Sequence, residues 1–222
     1  MLRAGIVLVL LPSAASAGTL VGKLELPQAP ERPASGAKGF LDRVENPLAP
    51  VQSLNVPRQM VIVLEGQEKE ATPGQVTWDL LGDSFARPVI AAPGGAEVVI
   101  KNVSKTTHTV VAKEDPKLVP AGPLNPTGSK SFRATEVGKI YTVSDPDAPY
   151  LQGRLVVVNT RFIAYPDDTG HFEVTDIPPG DYKLKIFYRD GWLERPEDAV
   201  TVGQKGKTEF NPKVATLAPP KK

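Results

Sequence analysis

Cysteine is absent from the whole chain. That excludes disulfide staples, a thiolate nucleophile and any metal centre that depends on a cysteine ligand. Methionine is nearly as scarce. Of two residues, Met1 starts the chain and Met60 sits inside an apolar run, so a thioether ligand has a single internal candidate. Histidine is limited to His108 and His171. No long stretch keeps a helical period, and no apolar run after residue 17 approaches the roughly 18 residues that a spanning helix needs. An excess of one charge is missing too. Setting aside the first 17 residues removes Arg3, which leaves 25 of the 26 basic residues against 25 acidic ones. A balanced chain lacks the field that nucleic acid or an anionic membrane surface would require of a partner.

Proline and glycine, by contrast, are abundant at 23 and 19 residues. They punctuate short β-branched runs, the pattern of many strands joined by turns. The start reads MLRAGIVLVLLPSAASA. A basic residue, a short apolar core and a small-x-small end describe a secretory signal peptide over residues 1–17, cleaved near Ala17. The expected location is therefore periplasmic or secreted. Residues 19–26 alternate as a half-buried strand, and 27–58 form a Pro-rich stretch without period. Residues 60–64, MVIVL, are apolar throughout, which predicts a strand buried on both faces. Strands follow over 97–101, 107–113, 129–134, 140–143 and 154–158. After residue 159 come a hairpin around PDDTG, a second turn at IPPGD and a strand over 182–188 that alternates cleanly. Residues 213–222 read as a flexible tail. The fold class expected from this pattern is all-β, with two antiparallel β-sandwiches.

Two stretches carry family resemblances. Residues 75–159 include NVSKTTHTV, ending in His108 and Val110, and later SDPDAPYLQGRLVVV. They resemble a cupredoxin-like domain of the methylamine utilisation protein group, in which a histidine follows the first pattern and a Cys-x-x-His-x-x-Met turn occupies the second. Residues 160–212 carry DTGHF and IPPGDYKL and resemble a carboxypeptidase regulatory-like, or transthyretin-like, domain. Its usual opening strands match residues 18–66. The resemblance thus implies a discontinuous domain, 18–66 plus 160–212, with the cupredoxin-like module inserted between them.

The copper site that the resemblance implies is degenerate. Its positions fall on His108, Ser144, Asp147 and Tyr150: a hydroxyl for the thiolate, a carboxylate for the second imidazole, a phenol for the thioether. Type 1 copper needs all of those donors. What remains is a weak metal site at most, from His108 with Asp145 or Asp147. A Ser144–His108–Asp147 hydrolytic trio has no nucleophile-elbow pattern to support it. Aromatic side chains at Tyr188 and Trp192 suggest a surface for a glycan or a protein. The expected function is a non-catalytic binding or structural module of the cell envelope, without a required cofactor. The alternative is a metal-binding or electron-transfer protein retaining a minimal site at His108.

Overall fold

The computed structural model describes residues 17–27, 55–66, 73–193, 198–204 and 206–217. The signal sequence, all but the ends of the Pro-rich stretch, and residues 218–222 lie outside the described residues. The fold is all-β. Sixteen strands follow in order: β1 (Gly18–Lys23), β2 (Met60–Glu65), β3 (Gln75–Leu81), β4 (Ser84–Phe85), β5 (Val89–Pro93), β6 (Glu97–Asn102), β7 (Val111–Ala112) and β8 (Ser129–Arg133). Then come β9 (Ile140–Ser144), β10 (Gln152–Val158), β11 (Ile163–Ala164), β12 (His171–Ile177), β13 (Gly180–Tyr188), β14 (Gly191–Trp192), β15 (Asp198–Val202) and β16 (Lys207–Glu209).

These strands make four sheets. β3, β4, β6 and β8 form one, and β5, β7, β9 and β10 a second. β1 pairs only with β12 and β16, while β2 pairs with β11 and β13, which also binds β14 and β15. The strands from 75 to 158 therefore pair only with each other, and the two N-terminal strands pair with those beyond residue 160. Three pairings are parallel: β1 with β16, β5 with β10, and β3 with β6. Three of the four sheets are thus mixed, because strands that cross over rather than turn back arrive in the same direction as their neighbour, while the sheet of β2 and β13 is antiparallel throughout.

Alternation along the strands decides how the sheets stack. Trp78, Leu80, Ile100, Phe132, Tyr141 and Leu155 fill one core, between the sheets of β3 and β10. Leu20, Met60, Ile62, Phe172, Leu184 and Ile186 fill another, between those of β1 and β2. The other faces of β2, β5, β10 and β13 supply a third: Val61, Val63, Val89, Ala91, Val156, Val158 and Phe187. The four sheets form four layers with continuous apolar contact. The β2 run is apolar at every position because both of its faces are covered.

A tyrosine fastens the middle seam. The Tyr165 hydroxyl donates to the Ala91 carbonyl and accepts from the Ala91 N–H, each at 3.1 Å. It gives the open edge of β5 the partners that a further strand would have supplied. Burial pushes its phenol pKa up, against the hydrogen bond to Ala91.

Three expectations need correction. Only Val111–Ala112 of the strand predicted over 107–113 is a strand; His108 instead forms an isolated bridge with Leu124. The tail predicted from 213 is anchored as far as 217. Val214 is buried, its N–H donates to the Glu25 carbonyl at 2.9 Å, and Leu217 packs on the same core. Tyr188 is not a surface aromatic: only 6% of it is exposed. The end of β13 is covered on both faces, so Ile186, Phe187 and Tyr188 are buried in succession. Trp192 meets Phe187 edge to face, with ring centroids 5.3 Å apart, and packs at the margin of the third core.

Because Phe187 is fully buried in that seam, Phe187→Ala is expected to cost about 3–5 kcal/mol. Urea unfolding should show one transition shifted to lower denaturant. A loss below about 1 kcal/mol would mean that the seam carries little of the stability.

Candidate functional site

Four segments meet at one end of the central sandwich: the end of β6, the loop 103–110, the loop 113–128, and the turn between β9 and β10. His108 lies among them with 3% of its surface exposed. Its backbone exchanges hydrogen bonds with Leu124, the His108 N–H donating at 3.1 Å and the Leu124 N–H returning at 2.7 Å. This bridge fixes the ring between two loops.

Each ring nitrogen faces a partner. Nδ1 lies 3.1 Å from Asp145 Oδ2, and Asp145 is also 3% exposed. An ionised carboxylate only accepts, so the hydrogen belongs to Nδ1. The same Oδ2 accepts the Thr109 N–H at 3.1 Å, and Oδ1 accepts the Asp147 N–H at 2.9 Å. The Asp145 carboxylate is therefore saturated by three donors and shapes the turn in the manner of an Asx-turn. On the other side, Nε2 faces Ser104 Oγ at 3.4 Å.

Behind the ring stands Asn102, which is buried. Its Nδ2 donates to the Thr106 and Leu124 carbonyls at 2.7 and 2.9 Å. Its Oδ1 accepts both the Ser104 N–H at 2.9 Å and the Ser104 hydroxyl at 2.6 Å. The chain Asn102–Ser104–His108–Asp145 is continuous and enclosed. Such a network rigidifies a site when every member is satisfied.

The order Ser–His–Asp superficially matches a hydrolytic triad, but not through Ser144 and Asp147. The Ser104 hydroxyl is committed to Asn102 and is buried, so it cannot reach a carbonyl without breaking its shorter bond. A triad nucleophile needs the opposite arrangement, an exposed hydroxyl donating to the imidazole.

Of the positions expected to mark the degenerate copper site, only His108 sits at its centre. Ser144 is buried within β9, paired with Gln152 and Val111. Asp147 and Tyr150 are exposed, Tyr150 at 69%. The residue against the imidazole is Asp145. A Cys-x-x-His-x-x-Met spacing counted from Asp145 falls on Ala148 and Leu151, both buried. The Ala148 N–H donates to the Asp145 carbonyl at 3.2 Å, and the Leu151 N–H to the Ala148 carbonyl at 2.8 Å. Of the two carboxylates expected as partners for His108, Asp145 and Asp147, it is Asp145 that touches the ring. Sequence reasoning missed Asn102 and Ser104 as site residues.

Copper does not fit this donor set. The ring faces one carboxylate and one hydroxyl, with no thiolate, second imidazole or thioether beside it, and Nδ1 is taken by Asp145. Among the described residues, no group of three or more His, Cys, Asp or Glu side chains could hold a metal ion. The second histidine is elsewhere. His171 lies on β12, where its Nδ1 is 2.7 Å from the Thr169 hydroxyl. That hydroxyl donates to Asp167 Oδ1, and hydrogen bonding to Asp167 lowers the pKa of its carboxyl group.

Replacing Asp145 by Ala should remove about 3–5 kcal/mol, because it strands a buried imidazole and two backbone donors. Asp147→Ala, an exposed change, should stay within about 0.5 kcal/mol. Thermal or urea denaturation of the two variants separates them, and equal effects would contradict the assignment.

No protein-family model and no curated protein sequence matches the chain. Solved structures that are similar include a reduced amicyanin variant, at 16% identity and TM-score 0.34, over 43% of this chain and 97% of that one. An oxidised amicyanin variant matches over the same shares at 18% identity and TM-score 0.33. A purple cupredoxin from Nitrosopumilus maritimus matches at 16% identity and TM-score 0.33, over 36% of this chain and 97% of that one.

Proposed function

We propose that this chain is an exported, non-catalytic binding or structural protein of the cell envelope. In this reading its central sandwich is a cupredoxin-like module, and the sheets of β1 and β2 form a transthyretin-like one. A buried proton network stands where the relatives of such a module hold copper. The observation that carries it is the Asp145–His108 contact, with Ala148 and Leu151 at the next ligand spacings. Those four residues form a closed structural unit with no open coordination position, whereas a reactive metal site keeps one.

Support for a binding role comes from what the same end exposes. Val103, between buried Asn102 and Ser104, is 59% exposed, and Tyr150 projects from the turn that Asp145 shapes. Exposed apolar side chains on a rigid end suit a protein or glycan partner better than internal chemistry does. Trp192, packed against Phe187, is less suited to that role than the sequence suggested. Among the described residues, no helix is long and apolar enough to cross a membrane.

The test is metal uptake by the purified mature protein. After incubation with Cu(II) or Cu(I) and desalting, elemental analysis should find far less than one copper per chain, with no difference between wild type and His108→Ala. One-to-one copper that disappears in the variant would overturn the proposal in favour of a minimal metal site at His108.

A further inference from the structure

A second cleft opens where the two halves of the molecule meet, between β10 and the turn from β13 to β14. It has a volume of about 340 Å³ and is lined by Gln59, Pro88, Val89, Gln152, Gly153, Arg154, Arg189 and Asp190. That is the lower end of the size range for small-molecule pockets, which favour seams between modules. Pro88, Val89 and Gly153 give it an apolar wall. Two guanidinium groups and two carboxamides supply the polar side.

The two arginines are held differently. Arg154 is built in. Its Nε and Nη2 donate to Asp190 Oδ1 at 2.9 and 2.6 Å, and its Nη1 donates to the Thr142 hydroxyl. That hydroxyl in turn donates to Glu114 Oε1 at 2.7 Å, so its lone pairs are free to accept from the arginine. Arg189 is the reverse. Its backbone N–H donates to the Gln59 carbonyl at 3.2 Å, but its guanidinium has no hydrogen-bond or ionic partner among the described residues.

Arg189 also sits in an unfavourable backbone conformation. It is the first of two residues joining β13 to β14, between the paired residues Tyr188 and Gly191, and its φ is +53°. That position in a two-residue hairpin turn ordinarily takes glycine, asparagine or aspartate. An arginine there carries strain that glycine would not, and strained residues concentrate at binding and catalytic sites. Its exposed, unpaired guanidinium lines the polar cleft.

We propose that this cleft binds a monoanionic carboxylate, gripped by Arg189 and oriented by Arg154 with the Gln59 and Gln152 amides. Asp190 and, through Thr142, Glu114 already offset Arg154, so Arg189 brings the one unpaired positive charge and suits a single carboxylate. A phosphate dianion would face the Asp190 carboxylate with too little compensation. Guanidinium and carboxamide groups are planar donors and suit a planar oxyanion.

The experiment titrates the folded mature protein with benzoate, with a short peptide ending in a free carboxylate, with the same peptide amidated, and with inorganic phosphate. The readouts are Arg side-chain NMR signals and calorimetry. At least one of the two carboxylates should bind saturably and shift the Arg189 and Arg154 Nε–H signals, and which one does so identifies a free acid or a chain end as the source. The amidated peptide and phosphate should bind at least about tenfold more weakly. Arg189→Gly should weaken carboxylate binding by at least about tenfold while leaving the melting temperature unchanged or raised. Absence of saturable carboxylate binding would overturn the proposal, as would equal binding of the amidated peptide or phosphate. So would an Arg189→Gly variant that binds normally or melts earlier.

Discussion

The arrangement of this molecule depends on β2 and the end of β13, which are covered on both faces. Val61, Val63 and Phe187 turn one way and Met60, Ile62 and Ile186 the other, and all six are fully buried or nearly so. Full burial of side chains of this size is worth roughly 1.5–3 kcal/mol each. A strand pair buried on both sides joins the two halves into one stack, and the Tyr165 hydroxyl closes the remaining edge of β5. The cleft at Arg154 and Arg189 is a consequence of that seam. It opens where β10 and the β13–β14 turn approach each other without apolar filling.

Much of the fold was legible because burial writes itself into the alternation. The unbroken run at 60–64 announced a strand covered on both faces, and the alternation at 182–186 gave β13. The last turn of that strand was harder. Phe187 and Tyr188 face opposite ways, and only knowledge of a second covering layer tells that both are buried. The anchored segment at 213–217 was missed for a related reason. Val214 and Leu217 are too sparse for a periodic signal, and their partner Glu25 lies far away in sequence.

At the site, the sequence singled out the histidine and offered Asp145 or Asp147 as its partner, without deciding which residue of the turn faces the ring. Ser144 and Asp145 are adjacent, and spacing alone permits either to oppose the ring. Pairing decides between them. Ser144 is held in β9 opposite Val111 and Gln152, so the chain leaves the sheet one residue later and delivers Asp145 to His108. Asn102 and Ser104 could not be assigned because their role is to satisfy one another, the backbone of Thr106 and Leu124, and the ring. Nothing in a linear pattern separates that from a solvated loop.

The proposed role rests on a proton held between the buried His108 ring and Asp145. Nitrogen-15 NMR of the His108 imidazole tests it most directly. The account predicts a slowly exchanging Nδ1–H resonance on His108, lost in Asp145→Ala and unmoved by one equivalent of copper. An Nδ1 without a proton, or a ring whose signals vanish or shift on stoichiometric copper addition, would contradict it.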